Sequence, residues 1–339
     1  MSDGAAQSQS IDEMRYEMEE RVLALDLGGT KLLIGEVDKT GKIIRKKRYT
    51  SGYRSQEEEM GLIVDSLKDY IKTENLNLEE ISSAGIGLIG QVDAGSGIWN
   101  MIDPERRQGI PVTKVLEKYF GIPFYIDNDV KAATRAEITF GMGKGEKDFI
   151  YLNIGTGIAA GIVSGGRLVR GLGNDAGEVG HTTVGVCTEV ECTCGRSGCV
   201  EAIASGGGMD RRIRKLADQY PDSPLTAAAR SGFVGAETIF AAAREGDPLA
   251  VRITEDAACA LAGLLANLSR LTAPSMIVLG GGIGGDQWMR EKIFEKAKEQ
   301  GGSHVLPTIL SSGLNPDTAG LVGAAVVGMN LQEAEGGAI

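Results

Sequence analysis

The chain has 339 residues, 42 % of them hydrophobic and 24 % charged, enough apolar material for about two domains with cores of their own. Its 35 Lys and Arg against 46 Asp and Glu leave a net charge of −11, which repels nucleic acid and anionic membrane overall. No run of 18 apolar residues could cross a bilayer, and the N-terminus lacks the basic and apolar regions of a secretory signal. The expectation is a cytoplasmic protein that binds neither nucleic acid nor membrane.

Residues 1–21 read as a flexible lead-in, too short for a helix-turn-helix domain. "VLALDLGGTKLLIGEVDKTGKII" (22–44) is an apolar strand, a glycine turn and a second apolar strand. The basic run "IIRKKR" (43–48) reads as a solvated strand edge. A helix follows at 57–76, a strand at 83–90, a helix near 111–119, a strand at 123–127 and a helix over 130–141. "DFIYLNIGTGIAAGIVSGGRLV" (148–169) then repeats the opening device, with Asn153 in the place of Asp26 and Gly155 in that of Gly28. A repeat of this kind suggests two domains of similar topology.

Asp247-Pro248 caps a long Ala-rich helix that runs to about Leu271, with Cys259 inside it as a buried small hydrophobe. A strand at 275–284 and a helix opening on Asp317 complete the chain. Alternating strands and helices mean an α/β fold. The expected domains are 22–129 and 130–316, with the helix 317–331 packing back on the first.

"DLGGTK" (26–31) places a carboxylate at a strand end beside a glycine turn. Glycines let backbone N–H groups line a concavity for phosphate oxygens, and Asp26 could hold Mg²⁺ through water. A plain hairpin turn has the same pattern. "NIGTG" (153–157) repeats it, which favours phosphate binding. These turns lead into strands, so they do not match a dinucleotide-binding fingerprint. "GGGIGG" (280–285) follows an apolar strand and would let bare backbone approach a base or ribose, or simply turn the chain. "YIDNDVKAATRAE" (125–137) ends a strand on Asp127, Asn128 and Asp129. Asp129 could take a proton from an attacking hydroxyl that Asn128 orients, or merely cap the next helix.

The five cysteines do not suit a disulfide framework in a cytoplasmic chain. Three of them, Cys192, Cys194 and Cys199, follow "AGEVGH" (176–181) as C-x-C-x4-C. With His181 they make a tetrahedral Cys₃His zinc set, and Cys187 competes for the fourth position. No water-holding residue is evident, so the zinc reads as structural. It would hold Glu178 and Glu201 nearby, two carboxylates suited to the hydroxyls of a polyol.

Taken together, "LDLGGTK", "DNDVKAA", "NIGTGIAAGIV", "GEVGH", "CTCGRSGCVEA" and "VLGGGI" resemble the ROK family (repressors, open reading frames, sugar kinases) over about residues 22–330. The resemblance implies a two-domain actin/hexokinase-like (ribonuclease H-like) fold with a nucleotide and sugar cleft. It also implies ATP-dependent phosphorylation of a sugar hydroxyl. By resemblance Asp129 is the general base, and Gly90, Asn128, Glu178, His181 and Glu201 contact the sugar. Gly28, Gly29, Thr30 and Lys31 take phosphates together with Gly155, Thr156 and Gly157, while Gly281 and Gly282 border adenosine. His181, Cys192, Cys194 and Cys199 bind zinc, and the molecule is a homo-oligomer, a dimer or tetramer.

One stretch departs from the pattern. Many relatives carry Pro-Gly where this chain has Ile89-Gly90, then an Asn and a Trp without clear equivalents in "GQVDAGSGIWNMIDPERRQGIP". The loop carries Arg106-Arg107 instead, a pocket feature or a surface one. The sugar therefore stays open among glucose, mannose, allose, fructose, an amino sugar or a rarer polyol. The alternative to a kinase is a non-enzymatic sugar sensor. A chaperone or filament of the actin-like kind would give the zinc set and Glu178/Glu201 no role.

Overall fold

The computed structural model describes residues 21–29, 31–52, 55–101, 109–186, 188–301 and 305–330. In chain order the elements are β1 (Arg21–Leu27), β2 (Lys31–Asp38), β3 (Ile43–Thr50), α1 (Gln56–Thr73), β4 (Ile81–Leu88), β5 (Gln91–Asp93), β6 (Ile98–Met101), α2 (Val112–Phe120), β7 (Phe124–Asn128) and α3 (Asp129–Phe140). Then come β8 (Phe149–Ile154), β9 (Ile158–Ser164), β10 (Arg167–Leu168), α4 (Val200–Ala204), α5 (Gly206–Leu216), α6 (Pro224–Ser231), α7 (Ala236–Arg244) and α8 (Pro248–Thr272). The last are β11 (Met276–Gly280), α9 (Gly281–Gly284), α10 (Gln287–Glu299), β12 (Thr308–Ser311) and α11 (Ala319–Gly328).

The contacts divide the chain into two compact units. The first holds the described part of Met1–Gly141, the strap Gly171–Asp175 and the described residues from Asp317 on. Its sheet has the order β3-β2-β1-β4-β7, with β1 and β2 antiparallel and β1, β4 and β7 parallel. The second holds Met142–Arg170 and Ala176–Pro316, with the sheet order β10-β9-β8-β11-β12. Here β8 and β9 are antiparallel and β8, β11 and β12 parallel. Each unit thus opens with a hairpin and continues into a parallel sheet, and the two strand orders correspond one to one.

Local chemistry explains the elements. Strand β1 is apolar on both faces because it lies inside its sheet. Strand β3 alternates half-buried and exposed residues, as an edge strand does, and turns Lys46 and Arg48 to solvent. Ser55 and Glu58 form a reciprocal capping box on α1. Asp247 caps α8 by accepting from Ala250 N at 2.8 Å, with Pro248 at the first helical position.

Several details differ from expectation. Helix α3 belongs to the first unit, so the division falls after Gly141 rather than after Asp129; the reason is its long contact with α11. Strand β11 stops at Gly280, where the backbone turns directly into α9. Thr318, not Asp317, occupies the cap position of α11. Cys259 is half-buried rather than buried, with its sulfur 3.5 Å from Gln300 Nε2.

Helix α11 has no polar face, and nearly all of it is buried, as such a helix must be. It lies so close to β4 that a Cβ on Gly85 would collide with the Ala324 carbonyl and the Gly328 amide. Those are backbone atoms and cannot step aside. Gly85→Ala is therefore expected to cost about 2 kcal/mol or more in a urea melt. Gly61→Ala sits exposed inside α1 with open space around it and should gain about 0.5–1 kcal/mol. Equal effects of the two would refute the packing argument.

Candidate functional site

In the first unit, the candidate residues gather at the carboxyl ends of the parallel strands, where open α/β sheets carry their ligand chemistry. Asp26 on β1, Gly87 on β4 and Asp127 on β7 stand in one row across the sheet. A single point, the place of a Cβ on Gly87, would lie 3.9 Å from Asp26 Oδ1 and 3.7 Å from the Asp129 Cα. Asp26 and Asp129 thus border the same gap.

The three polar residues at the end of β7 have separate tasks. Asp127 is buried. It accepts from Asn128 N at 2.9 Å and Asn174 Nδ2 at 3.1 Å, and pairs with Arg135 Nε at 3.3 Å. Asn128 is the cap of α3, accepting from Val130 N at 3.0 Å and Lys131 N at 3.3 Å. Its Nδ2 donates to Gly90 O at 3.1 Å, which ties the Gly90 turn to the helix start. Asp129 is therefore not the cap. It is the first helical residue and is half-buried.

Asp26 sits against the first turn of α11, so that a Cβ on Gly320 would collide with its carboxylate. Burial raises the Asp26 carboxyl above its ordinary value, and the Lys31 ammonium partly opposes this. The turn itself is closed by Gly28 N donating to Lys31 O at 2.9 Å. Lys31 Nζ donates to Asp317 O at 3.3 Å, so the ammonium also holds the entry to α11. Gly29 is exposed with nothing near it. Thr30 lies outside the described residues, as do Cys187 and Arg106-Arg107. Trp99, from the divergent loop, is buried, and its Nε1 donates to Ile89 O at 2.8 Å.

In the second unit, Gly155 and Thr156 line a cavity of about 650 Å³ together with Gly281 and Gly282. The sequence reading missed the rest of its wall, notably Gly206, Phe233, Glu237 and Phe240. Phe233 is 61 % exposed. An aromatic between glycine-bearing turns, in "RSGFVGAE", was the available signal.

Gly157, Glu178, His181 and Glu201 cluster around the start of β9. Gly177 O accepts from Ala160 N at 2.8 Å, which lays the Glu178–His181 turn along the strand. Glu201, in the first turn of α4, accepts from Ile158 N at 3.0 Å. The same carboxylate oxygen lies 3.0 Å from where a Cβ on Gly157 would be.

The ligand atoms of His181, Cys192, Cys194 and Cys199 all lie within 4.8 Å of one another. Cys194 Sγ and Cys199 Sγ are 3.7 Å apart, and Cys192 Sγ is 3.4 Å from His181 Nδ1. A disulfide needs about 2.05 Å. Two sulfurs on a tetrahedral zinc stand roughly 3.8 Å apart, so the donor set has the right chemistry and spacing for that ion. Burial pushes the Cys199 thiol up to about 12, while the Arg196 backbone N–H donating to Cys194 holds that thiol low. A cation among them would reverse the first effect by stabilising the thiolate. Cys192 N donating to Arg196 O at 2.8 Å closes this loop on itself, and Val200 N donating to Thr182 O at 2.9 Å ties the start of α4 to the His181 turn.

No helix among the described residues is long and apolar enough to cross a membrane. The chain is 31 % identical over 317 residues to the glucokinase of Thermotoga maritima, covering 91 % of this chain and 96 % of that protein. It is 32 % identical over 312 residues to the N-acetylmannosamine kinase of Shigella flexneri, covering 90 % and 97 %. Its structure resembles that of a ROK glucokinase from Streptomyces griseus solved with glucose and AMPPNP. The TM-score is 0.72 at 29 % identity, over 91 % of this chain and 99 % of the other. A ROK transcriptional regulator, a homologue of the E. coli MLC protein, superposes with a TM-score of 0.76 at 25 % identity, over 91 % of this chain and 78 % of the regulator. The ROK family model matches residues 22–329, with the glycine turns, the Asp129 segment and the cysteine cluster all inside the match; the chain belongs to the ROK family.

Proposed function

We propose that the protein is an ATP-dependent sugar kinase that phosphorylates a hydroxyl of a hexose or hexose derivative, with Asp129 as general base. The observation that carries this is the position of Asp129, in the first turn of α3 and bordering one gap with Asp26. A general base must be deprotonated and within reach of the acceptor hydroxyl. From the first unit, Gly90, Asn128 and Asp129 are assigned to the sugar, and Gly28–Lys31 to phosphates. From the second, Glu178, His181 and Glu201 are assigned to the sugar, Gly155–Gly157 to phosphates, and Gly281 and Gly282 to adenosine. The relatives named glucokinase and N-acetylmannosamine kinase make glucose and N-acetylmannosamine the first acceptors to try.

Phosphoryl transfer rests on positioning and charge neutralisation. Asp26 would hold Mg²⁺ through water, and that ion would offset charge on the phosphates. The Cys₃His set would hold zinc in a structural role. If His181 Nδ1 faces the ion, as its approach to Cys192 implies, its Nε2 carries the proton and donates to a sugar oxygen.

The direct test is ADP release with Mg-ATP across hexoses, N-acetylhexosamines and polyols. Turnover on one sugar names the substrate; zinc-loaded, ATP-binding protein that is silent on all of them would favour the sensor reading. Asp129→Asn is expected to lower kcat by about 10²–10⁴-fold with sugar affinity unchanged, and retention of most activity would remove it as base.

Cys194→Ser is expected to lose zinc by metal analysis and to weaken sugar binding about tenfold or more. Wild-type protein free of zinc would overturn the structural role.

Asp26→Asn should raise stability at neutral pH while removing activity. The folded-state pKa of Asp26 lies above its unfolded value. Its contribution is therefore most favourable below the unfolded pKa and declines as pH rises through the folded one. Thermal melts from acid to neutral pH should show a shallower decline for the variant than for wild type.

A further inference from the structure

We propose that Arg211 on α5 binds the phosphate chain of the nucleotide at the Gly155–Gly157 turn. This rests on the reading of that turn as a phosphate site.

The start of α5 is not itself free to hold an anion. Gly206 N donates to Gly155 O at 2.8 Å, Gly207 N to Thr156 O at 3.1 Å and Gly208 N to Ser205 Oγ at 2.9 Å. The first three amides are spent on fixing the turn and the cap. What the turn gains is orientation. Its carbonyls at Gly155 and Thr156 are tied back to the helix, and among the described residues the Thr156 amide has no partner. What it lacks is positive charge, since the ionisable group placed against it is the Glu201 carboxylate. A polyphosphate brought there meets like charge unless a cation offsets it.

Arg211 is that cation. Helical side chains lean toward the N-terminus and cover the residue four positions back. Arg211 Nη1 accordingly lies 3.6 Å from where a Cβ on Gly207 would be, and Thr156 O and Thr156 Cγ2 lie 3.1 and 3.9 Å from the same point. The guanidinium therefore runs beside the turn.

Its neighbours on α5 show what is unusual about it. Arg212 is paired with Glu189 at 3.0 Å and Asp256 at 2.5 Å, and Arg214 with Asp210 at 2.9 Å. Arg211 has no such carboxylate among the described residues, and its Nε and Nη2 are shielded from solvent with no hydrogen-bond partner. Those two nitrogens form one edge of the guanidinium fork, the arrangement that takes two oxygens of a phosphate at once. Shielded, charged and unmatched donors are costly, so a small rotation that brings them to an anion is favourable.

The experiment is calorimetric binding of ADP and of adenosine to wild type, Arg211→Gln and Arg211→Lys, with steady-state kinetics in ATP. Losing charge-assisted hydrogen bonds should weaken ADP about 10- to 100-fold in Arg211→Gln. Adenosine affinity should not change, the KM for ATP should rise, and Arg211→Lys should recover part of the loss. ADP affinity within about twofold of wild type in Arg211→Gln would overturn the proposal. Equal losses for ADP and adenosine would also overturn it, because a phosphate contact cannot act on a ligand without phosphate. Wild type that binds no ADP would sink the nucleotide reading itself, an outcome distinct from normal ADP binding by the variant.

Discussion

The first unit depends on the close approach of α11 to the sheet beneath it. Backbone meets backbone at Gly85, Ala324 and Gly328, and again where Gly323 would push a Cβ into the Ala132 carbonyl of α3. One helix therefore fixes two others of its surroundings at once: the strand ends that carry Asp26, and the helix that begins with Asp129. At its own start it admits the Asp26 carboxylate only because residue 320 has no side chain. Dispersion at such contacts is short-ranged, and a gap of half an ångström forfeits a good part of it. The carboxylates are thus set by packing some way from them rather than by bonds between them.

The second unit solves the matching problem with different residues. The hairpin β8–β9 corresponds to β1–β2, and Asn153, which replaces Asp26, stands opposite Gly280 as Asp26 stands opposite Gly87. An amide in this position carries no charge, whereas the carboxylate in the other unit can sit near a cation. The stabilising helix differs as well. In place of α11 against the turn, α5 presents its first amides to the turn carbonyls. The same strand order is compatible with both because the sheet fixes only where the hairpin ends, not what meets it there.

Much of this was legible in the chain. The two hairpins announced themselves as apolar–glycine–apolar repeats, Asp247-Pro248 marked a helix start, and the spacing of His181, Cys192, Cys194 and Cys199 gave a cluster whose ligand atoms the fold brings within 4.8 Å of one another. All of these are encoded in short stretches. Whether Asp129 caps α3 stays open in the sequence because Asn128 and Asp129 are both good caps, and only the backbone at Asn128, extended at φ −63° and ψ 146°, decides between them. Asp317 lost the cap of α11 to Thr318 by a similar margin of one residue. The assignment of α3 to the first unit, the glycine contacts of α11 and the lack of a partner for Arg211 Nε and Nη2 among the described residues depend on residues far apart in sequence. No local pattern carries them.

The cysteine loop ties these levels together. Its end at Cys199 bridges to Thr183 beside the His181 turn and is the cap of α4, which carries Glu201. A zinc ion there would fix the imidazole by one nitrogen and so determine which face of the ring donates. Glu201 already gives one oxygen to Ile158 N. Its other oxygen and the His181 Nε2–H then make an acceptor and a donor of fixed direction. A sugar hydroxyl both donates and accepts, so a pair of this kind can distinguish hydroxyl positions where two free carboxylates could not. Under the proposed assignment of His181 to the sugar, the metal would thus contribute to selectivity by removing the freedom of the imidazole.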